Sequence, residues 1–185
     1  MVRNNTAIGH TAQAVGASFE AWVEVQHDKA RLLGILAHVY HNQPASKFIR
    51  GRLEYVERGV SDYTGTLEGG HAKTYAAEAK STSDNRFPRA GIEPKQIEHL
   101  DAVARAGGLA LLLVEFRVDV LPLRLRHAIP WLEIPWKTLR TAQSVSADDV
   151  ATWRIPNDPT FCFLSRFHPG GPSSSTIRRR VINRD

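Results

Sequence analysis

Three residues in this chain have the types and spacing that phosphodiester hydrolysis asks for: Asp62, then Glu78 and Lys80 on either side of Ala79. Such hydrolysis needs a cation to polarise the phosphoryl oxygen and to acidify water, and hard cations such as magnesium prefer carboxylate and carbonyl oxygens. Two carboxylates from adjoining strands supply that site. A lysine two residues past the second carboxylate shares its strand face, where an ammonium can stabilise developing charge or orient the attacking water. Spacing alone fits equally a solvated strand face with no role, because a chain of 185 residues readily contains a chance Glu-x-Lys. Glu93-Pro94-Lys95 is such a match, but Pro94 cannot donate in a strand ladder and sits where a helix begins.

The elements around these residues decide between the two readings. Asp62 to Leu67, a turn at Glu68-Gly69-Gly70, and Lys73 to Lys80 read as a hairpin. In its second strand Tyr75, Ala77 and Ala79 alternate with Thr74, Ala76, Glu78 and Lys80, so Glu78 and Lys80 point to one side. Upstream, Phe19, Trp22, Val23, Gln26, Ala30 and Leu33 recur at helical spacing over Ser18 to Leu33, with Gly34 as the stop and Ile35 to Tyr40 as a short strand. From Ser46 to Gly59 the chain is an extended arm or a hairpin. Downstream, a polar linker leads to a helix with Pro94 in its first turn and Gly107-Gly108 past its end. Leu109 to Phe116 is almost wholly apolar, as suits a central strand covered on both faces. After Leu121-Pro122 the pattern becomes irregular.

Composition bounds the partner. With 42% apolar residues the chain can bury one full core, and it has no run of about 20 apolar residues to span a bilayer. Its N-terminus lacks an apolar leader, which leads us to expect a cytosolic protein with no membrane partner. The single cysteine, Cys162, rules out an internal disulfide and a cysteine-based zinc cluster. A formal charge of +5, a pI near 9.7 and a strong preference for Arg over Lys favour a polyanion, although the same charge serves solubility. His38 and His41 form an H-x-x-H that hints at zinc or an HNH nuclease; strand residues three apart face opposite sides and no third His or Cys lies nearby, which argues against both. His71 beside the predicted turn and His99 on the helix read as surface or packing residues.

An ordered set of short pieces runs through the chain: Gly16-Ala17-Ser18-Phe19-Glu20, Ser61-Asp62-Tyr63-Thr64-Gly65, Ala77-Glu78-Ala79-Lys80-Ser81-Thr82, Phe87-Pro88, Ile92 with Gln96 and His99-Leu100, and Gly107-Gly108-Leu109-Ala110, then Leu121-Pro122 and Trp131. Covering most of residues 16 to 131, this pattern resembles the RecU family of Holliday junction resolvases, members of the PD-(D/E)xK nuclease superfamily. The resemblance implies an α/β, restriction-endonuclease-like core with a central mixed β-sheet flanked by helices. It implies further that Asp62, Glu78 and Gln96 hold Mg2+, with Mn2+ able to substitute, that Lys80 stabilises the transition state, and that Glu20 on the first helix lies close by. The partners it implies are branched DNA, in the form of a four-way junction cut by paired nicks, and a second copy of a bacterial or phage chain.

The expected domain organisation is one nuclease domain over 1–165, carrying a basic arm at about 42–59, and a basic flexible tail over 166–185. Lys47, Arg50, Arg52 and Arg58, with Phe48 and Tyr55, combine phosphate-binding charge with stacking surface where the family has its DNA-entering stalk. Arg178, Arg179 and Arg180 offer sequence-independent attraction to phosphate. The chain departs from the family at Val60, where a Thr-type ligand is expected, and in an arm that looks shorter than the stalk. Two other readings stay open: a less selective nickase or restriction-like nuclease, and a non-enzymatic DNA-binding recombination accessory protein.

Overall fold

The computed structural model describes residues 5–42, 45–49, 52–57, 60–68, 73–118, 123–139 and 142–168, with the backbone alone described over 5–15, in the 45–57 hairpin and at 118 and 123. The first helix, α1, runs Asn5–Leu32 and so starts well before the expected Ser18. Its extra turns are the stretch NTAIGHTAQAVGA, which contains no proline to stop it. Gly34, at φ 64°, ends it, and the Ile35 amide reaches back to the Ala30 carbonyl at 2.9 Å to close the last turn.

Among the described residues nine strands follow in chain order with two more α-helices among them. The strands are β1 (Leu36–His41), β2 (Ala45–Ile49), β3 (Arg52–Glu57), β4 (Tyr63–Leu67), β5 (Lys73–Thr82), β6 (Arg86–Pro88), β7 (Leu109–Val118), β8 (Leu123–Pro130) and β9 (Ser144–Ser146), with α2 (Pro94–Arg105) between β6 and β7 and the single turn α3 (Pro135–Thr138) between β8 and β9. The main sheet has the order β1-β4-β5-β7-β8, and only the β5–β7 pair is parallel. That pair is joined through α2, as a parallel connection requires. The mixed sheet expected from the sequence is therefore present.

Alternation along β5 and β7 splits the core in two. Tyr75, Ala77, Leu111 and Leu113 face α1 and pack with Phe19, Val23 and Tyr63. Ala76, Ala110, Leu112, Val114 and Phe116 face α2 and pack with Leu100, Val103, Ile129 and Trp131. Burying both faces of β7 explains its near-continuous apolar run. Two glycines are required where backbones touch: a Cβ on Gly65 would stand 2.3 Å from the His38 carbonyl oxygen, and one on Gly108 would stand 2.7 Å from that of Thr74.

Two further features differ from the sequence reading. Residues 123–130, read as irregular, form β8, antiparallel to β7 from Leu111↔Pro130 to Val118↔Leu123. Within the polar linker, β6 pairs with β9 as a three-residue ladder. The 45–57 segment, left open between arm and hairpin, is a hairpin whose β2 and β3 form a sheet of their own. Arg166 and Phe167 are still held by the domain: Arg166 donates to the Arg154 carbonyl at 2.6 Å, and the Phe167 ring stacks on Trp153. The Gly69-Gly70 turn with His71, Leu121-Pro122 and residues 169–185 lie outside the described residues. No helix among the described residues is long and apolar enough to cross a membrane.

Candidate active site

Asp62 stands just before β4, and its neighbour across the ladder is the end of β5 that carries Glu78 and Lys80. The two carboxylates are tied by backbone: the Ala79 amide donates to Asp62 Oδ2 at 2.8 Å, and the Asp62 amide donates to Glu78 Oε2 at 3.2 Å. Asn42, at the end of β1, braces the same turn, with its side-chain amide donating to the Ser61 carbonyl at 2.9 Å and its backbone amide to that of Asp62 at 2.7 Å. The turn that presents Asp62 is thus held from two strands.

Glu78 has no exposed surface. Lys80 Nζ lies 2.6 Å from its Oε1, which places lysine and carboxylate on the same face. Gln96 donates from Nε2 to the same Oε1 at 2.6 Å, while its own Oε1 accepts the Glu93 backbone amide at 2.9 Å in a capping box at the start of α2. One glutamine therefore anchors the helix to the carboxylate. With both ends engaged, its oxygen serves the cap in this conformation.

Burial, and then the nearby Asp62 charge, push the Glu78 carboxyl up to about 7, against the opposing pull of Lys80. Glu20, on α1, is raised from the ordinary carboxylate range for the same two reasons, burial first and Asp62 second. His41 on β1 lies between it and Glu24: its Nδ1 is 2.8 Å from Glu24 Oε1 and its Nε2 is 3.9 Å from Glu20 Oε2. The ring also stacks on Tyr63 with centroids 4.8 Å apart. Sequence reasoning weighed His41 only as a zinc or HNH residue, and its spacing gives no hint of the partner helix. His38 points elsewhere, to Thr66 and the Tyr40 ring.

Among the described residues no group of three or more His, Cys, Asp or Glu side chains is gathered as a metal site. The donor set nonetheless fits a hard divalent cation. Two carboxylates meet at neighbouring strands, Glu78 with raised proton affinity and Lys80 against it, and magnesium commonly takes only one or two protein carboxylates, with water and substrate phosphate completing its shell. Val60, exposed beside this turn, has no side-chain oxygen to add. The proposed DNA contacts Lys47 and Arg52 lie on β2 and β3, where the backbone alone is described, while Arg50, Arg58 and Arg178 to Arg180 lie outside the described residues.

A mixed sheet that sets two carboxylates and a lysine at the meeting of neighbouring strands is the arrangement expected of a PD-(D/E)xK nuclease core. The chain belongs to the RecU family: the family model described as "Recombination protein U" matches residues 39–133. It is 27% identical over 81 residues to the Holliday junction resolvase RecU of Shouchella clausii (strain KSM-K16), a match covering 43% of this chain and 38% of that protein. The shared stretch is therefore well under half of that relative's length. Among solved structures, the chain is similar to Archaeoglobus fulgidus Hjc, a Holliday junction resolvase from an archaeal hyperthermophile, with a TM-score of 0.43 and 16% identity over 77% of this chain and 91% of that one.

Proposed function

We propose that this chain is a divalent-metal-dependent DNA endonuclease that resolves four-way junctions by paired nicking, working as a homodimer in the cytosol. The observation that carries the reading is the Asp62–Glu78–Lys80 cluster, with a fully buried Glu78, inside a RecU-family domain. Asp62 and Glu78 are the residues that would hold Mg2+, or Mn2+ in its place; the bound ion would polarise the scissile phosphate and acidify water at the site. Lys80 is placed to neutralise the charge that builds on the phosphoryl oxygens. Gln96 acts as a positioning residue, since its amide fixes Glu78 while its oxygen caps α2. Glu20, near His41 and close enough to Asp62 to feel its charge, would be an accessory carboxylate.

Paired symmetric nicks call for two sites related by a two-fold axis, hence the homodimer. The β2–β3 hairpin, with Lys47, Arg50, Arg52 and Arg58 along or beside it, would enter the junction centre, and Arg178 to Arg180 would add attraction to phosphate. The deciding experiment compares a mobile four-way junction with linear duplex at matched salt, with and without Mg2+, reading products at nucleotide resolution. Symmetric Mg2+-dependent nicks confined to the junction support the proposal. Equal cutting of duplex reduces it to a less selective nickase, and binding without any nicked product turns it into an accessory binder.

A further inference from the structure

Away from the carboxylates, on the opposite flank of α1, lies a groove of about 300 Å³ between that helix and residues 155–161. Its α1 wall is Trp22, Val25, Gln26 and Lys29, its β8 wall Arg124 and Arg126, and its outer lip includes Asp158 and Phe161. The cations in it are unequally engaged. Arg126 is fixed: its Nε donates to Glu115 Oε2 at 2.9 Å, that carboxylate is fully buried, and the guanidinium lies 4.4 Å from the Trp22 ring centroid. Arg124 touches α1 through Nη1, which donates to Ser18 Oγ at 3.0 Å. Lys29 donates to the Pro159 carbonyl. The lone acidic lining residue, Asp158, is turned to its own loop, accepting from the Thr160 amide at 2.8 Å and hydroxyl at 2.7 Å.

The groove lies across the sheet from Glu78 and Lys80. Arg124 pairs with Arg117 at the end of β7, Glu115 is in register with Ser81 next to Lys80, and Ser18 precedes Glu20 by two residues. Lys80 is in register with Val114 and through it with His127, so Arg124 stands two ladder steps across and three residues along β8 from it, about 14 Å between backbones, with Arg124 on the α1 face of the sheet and Lys80 on the α2 face. From Ser18 to Lys29 the α1 wall extends for about 16 Å, with cations near both ends.

We propose that this groove is a second DNA-backbone site, in which Arg124 and Lys29 hold phosphate of a junction arm, with Arg126 kept rigid beneath it by Glu115 and Trp22. A fixed guanidinium loses little entropy on meeting phosphate, and its planar fork can take two oxygens. This inference rests on the endonuclease reading above and adds a surface the basic hairpin does not include.

The test measures binding of a four-way junction with Ca2+ in place of Mg2+, across a salt series, for the full chain and for R124Q, K29Q and the pair. Arg105→Gln, an equal charge loss on the exposed end of α2, is the control for net charge. We expect Kd to weaken about five- to tenfold for R124Q and further for the pair, with the slope of log K against log salt falling by about 0.9 for each phosphate no longer neutralised. R105Q should stay at the parent value, and Arg124→Lys should restore part of the affinity. In cleavage the loss should appear in KM more than in kcat. Neutral methylphosphonates placed one by one along the junction arms should weaken the parent at one or two positions and leave R124Q indifferent there.

Parent-like affinity and slope in the double variant, or a methylphosphonate penalty identical in parent and R124Q at every position, overturns the inference while junction cutting by the parent still upholds the nuclease. A parent that neither binds nor cuts junction DNA removes both.

Discussion

Glu78 carries the sharpest conflict in the molecule. A carboxylate with no exposed surface, next to Asp62, costs free energy when charged, and Lys80 and Gln96 offset only part of that cost. The arrangement is intelligible if a cation joins it. Lys80→Ala and Asp62→Asn separate charge from scaffold, because an asparagine at 62 keeps an oxygen to accept the Ala79 amide. Both substitutions should lower Mg2+-dependent cleavage by about a hundredfold or more while junction affinity stays close to that of the parent chain. Retained cutting in both would sink the assignment. Gln96 calls for a finer pair of variants. Gln96→Ala removes the helix cap and the hydrogen bond to Glu78 together, so it should lose about 1 kcal/mol of stability as well as activity. Gln96→Glu keeps an acceptor for the Glu93 amide but sets a second charge against Glu78. Its thermal midpoint should therefore exceed that of Gln96→Ala, while its cleavage is no better.

At the scale of elements, the β4–β5 ladder aligns the site and Gly65 lets β1 close on it. Any side chain there meets the His38 carbonyl, so Gly65→Ala should cost about 2 kcal/mol or more in urea unfolding, with cleavage falling as the Asp62 turn shifts. Unchanged stability would mean the strands can part without consequence. The same elements show what a sequence can reveal. The alternation in Lys73 to Lys80, the Pro94 start and the apolar run at 109–116 are local patterns with one physical cause each, and the structure has all three elements there. The strand β8 also carried a period-two signal, Leu123 and Leu125 alternating with Arg124 and Arg126, but Pro122 before it and Pro130 at its end obscured it. The β6–β9 ladder is too short for any period to register. Nor could spacing reveal that His41 meets Glu24 beside Glu20, or that Glu115 fixes Arg126, since each pair depends on how two separate elements pack together. Asp62, Glu78 and Lys80 could be nominated because strand geometry is local; what surrounds them could not.

For the molecule as a whole, two buried histidines outside the site govern how folding answers to acid. His27 is enclosed by Tyr63, Tyr75 and Phe163, with its Nε2 2.9 Å from the Tyr75 hydroxyl, and burial with a contribution from Arg31 holds it down to about 3. His127, against Phe116 on β8, is held down to about 4 by burial and then by Arg154. In the unfolded chain both titrate near 6.5. Between that value and about 4 the unfolded state binds two protons that the folded state refuses, so stability falls as pH drops through this window. Glu78 works in the opposite sense. Its folded value of about 7 lies above the ordinary 4.5, so across that interval the folded state holds a proton the unfolded chain has released, and one histidine's effect is offset. For these three groups together the balance is close to one proton, about 1.4 kcal/mol per pH unit, lost on acidification from pH 6 to 5 in the metal-free protein. His27→Gln isolates the contribution, because an amide can still meet the Tyr75 hydroxyl but does not titrate. Urea unfolding at pH 7, 6 and 5 should show the parent losing stability toward acid and His27→Gln nearly level, the two curves diverging by about one proton's worth per unit. Parallel curves would mean that His27 is already protonated in the folded core, and that the aromatic cage around it does not exclude charge.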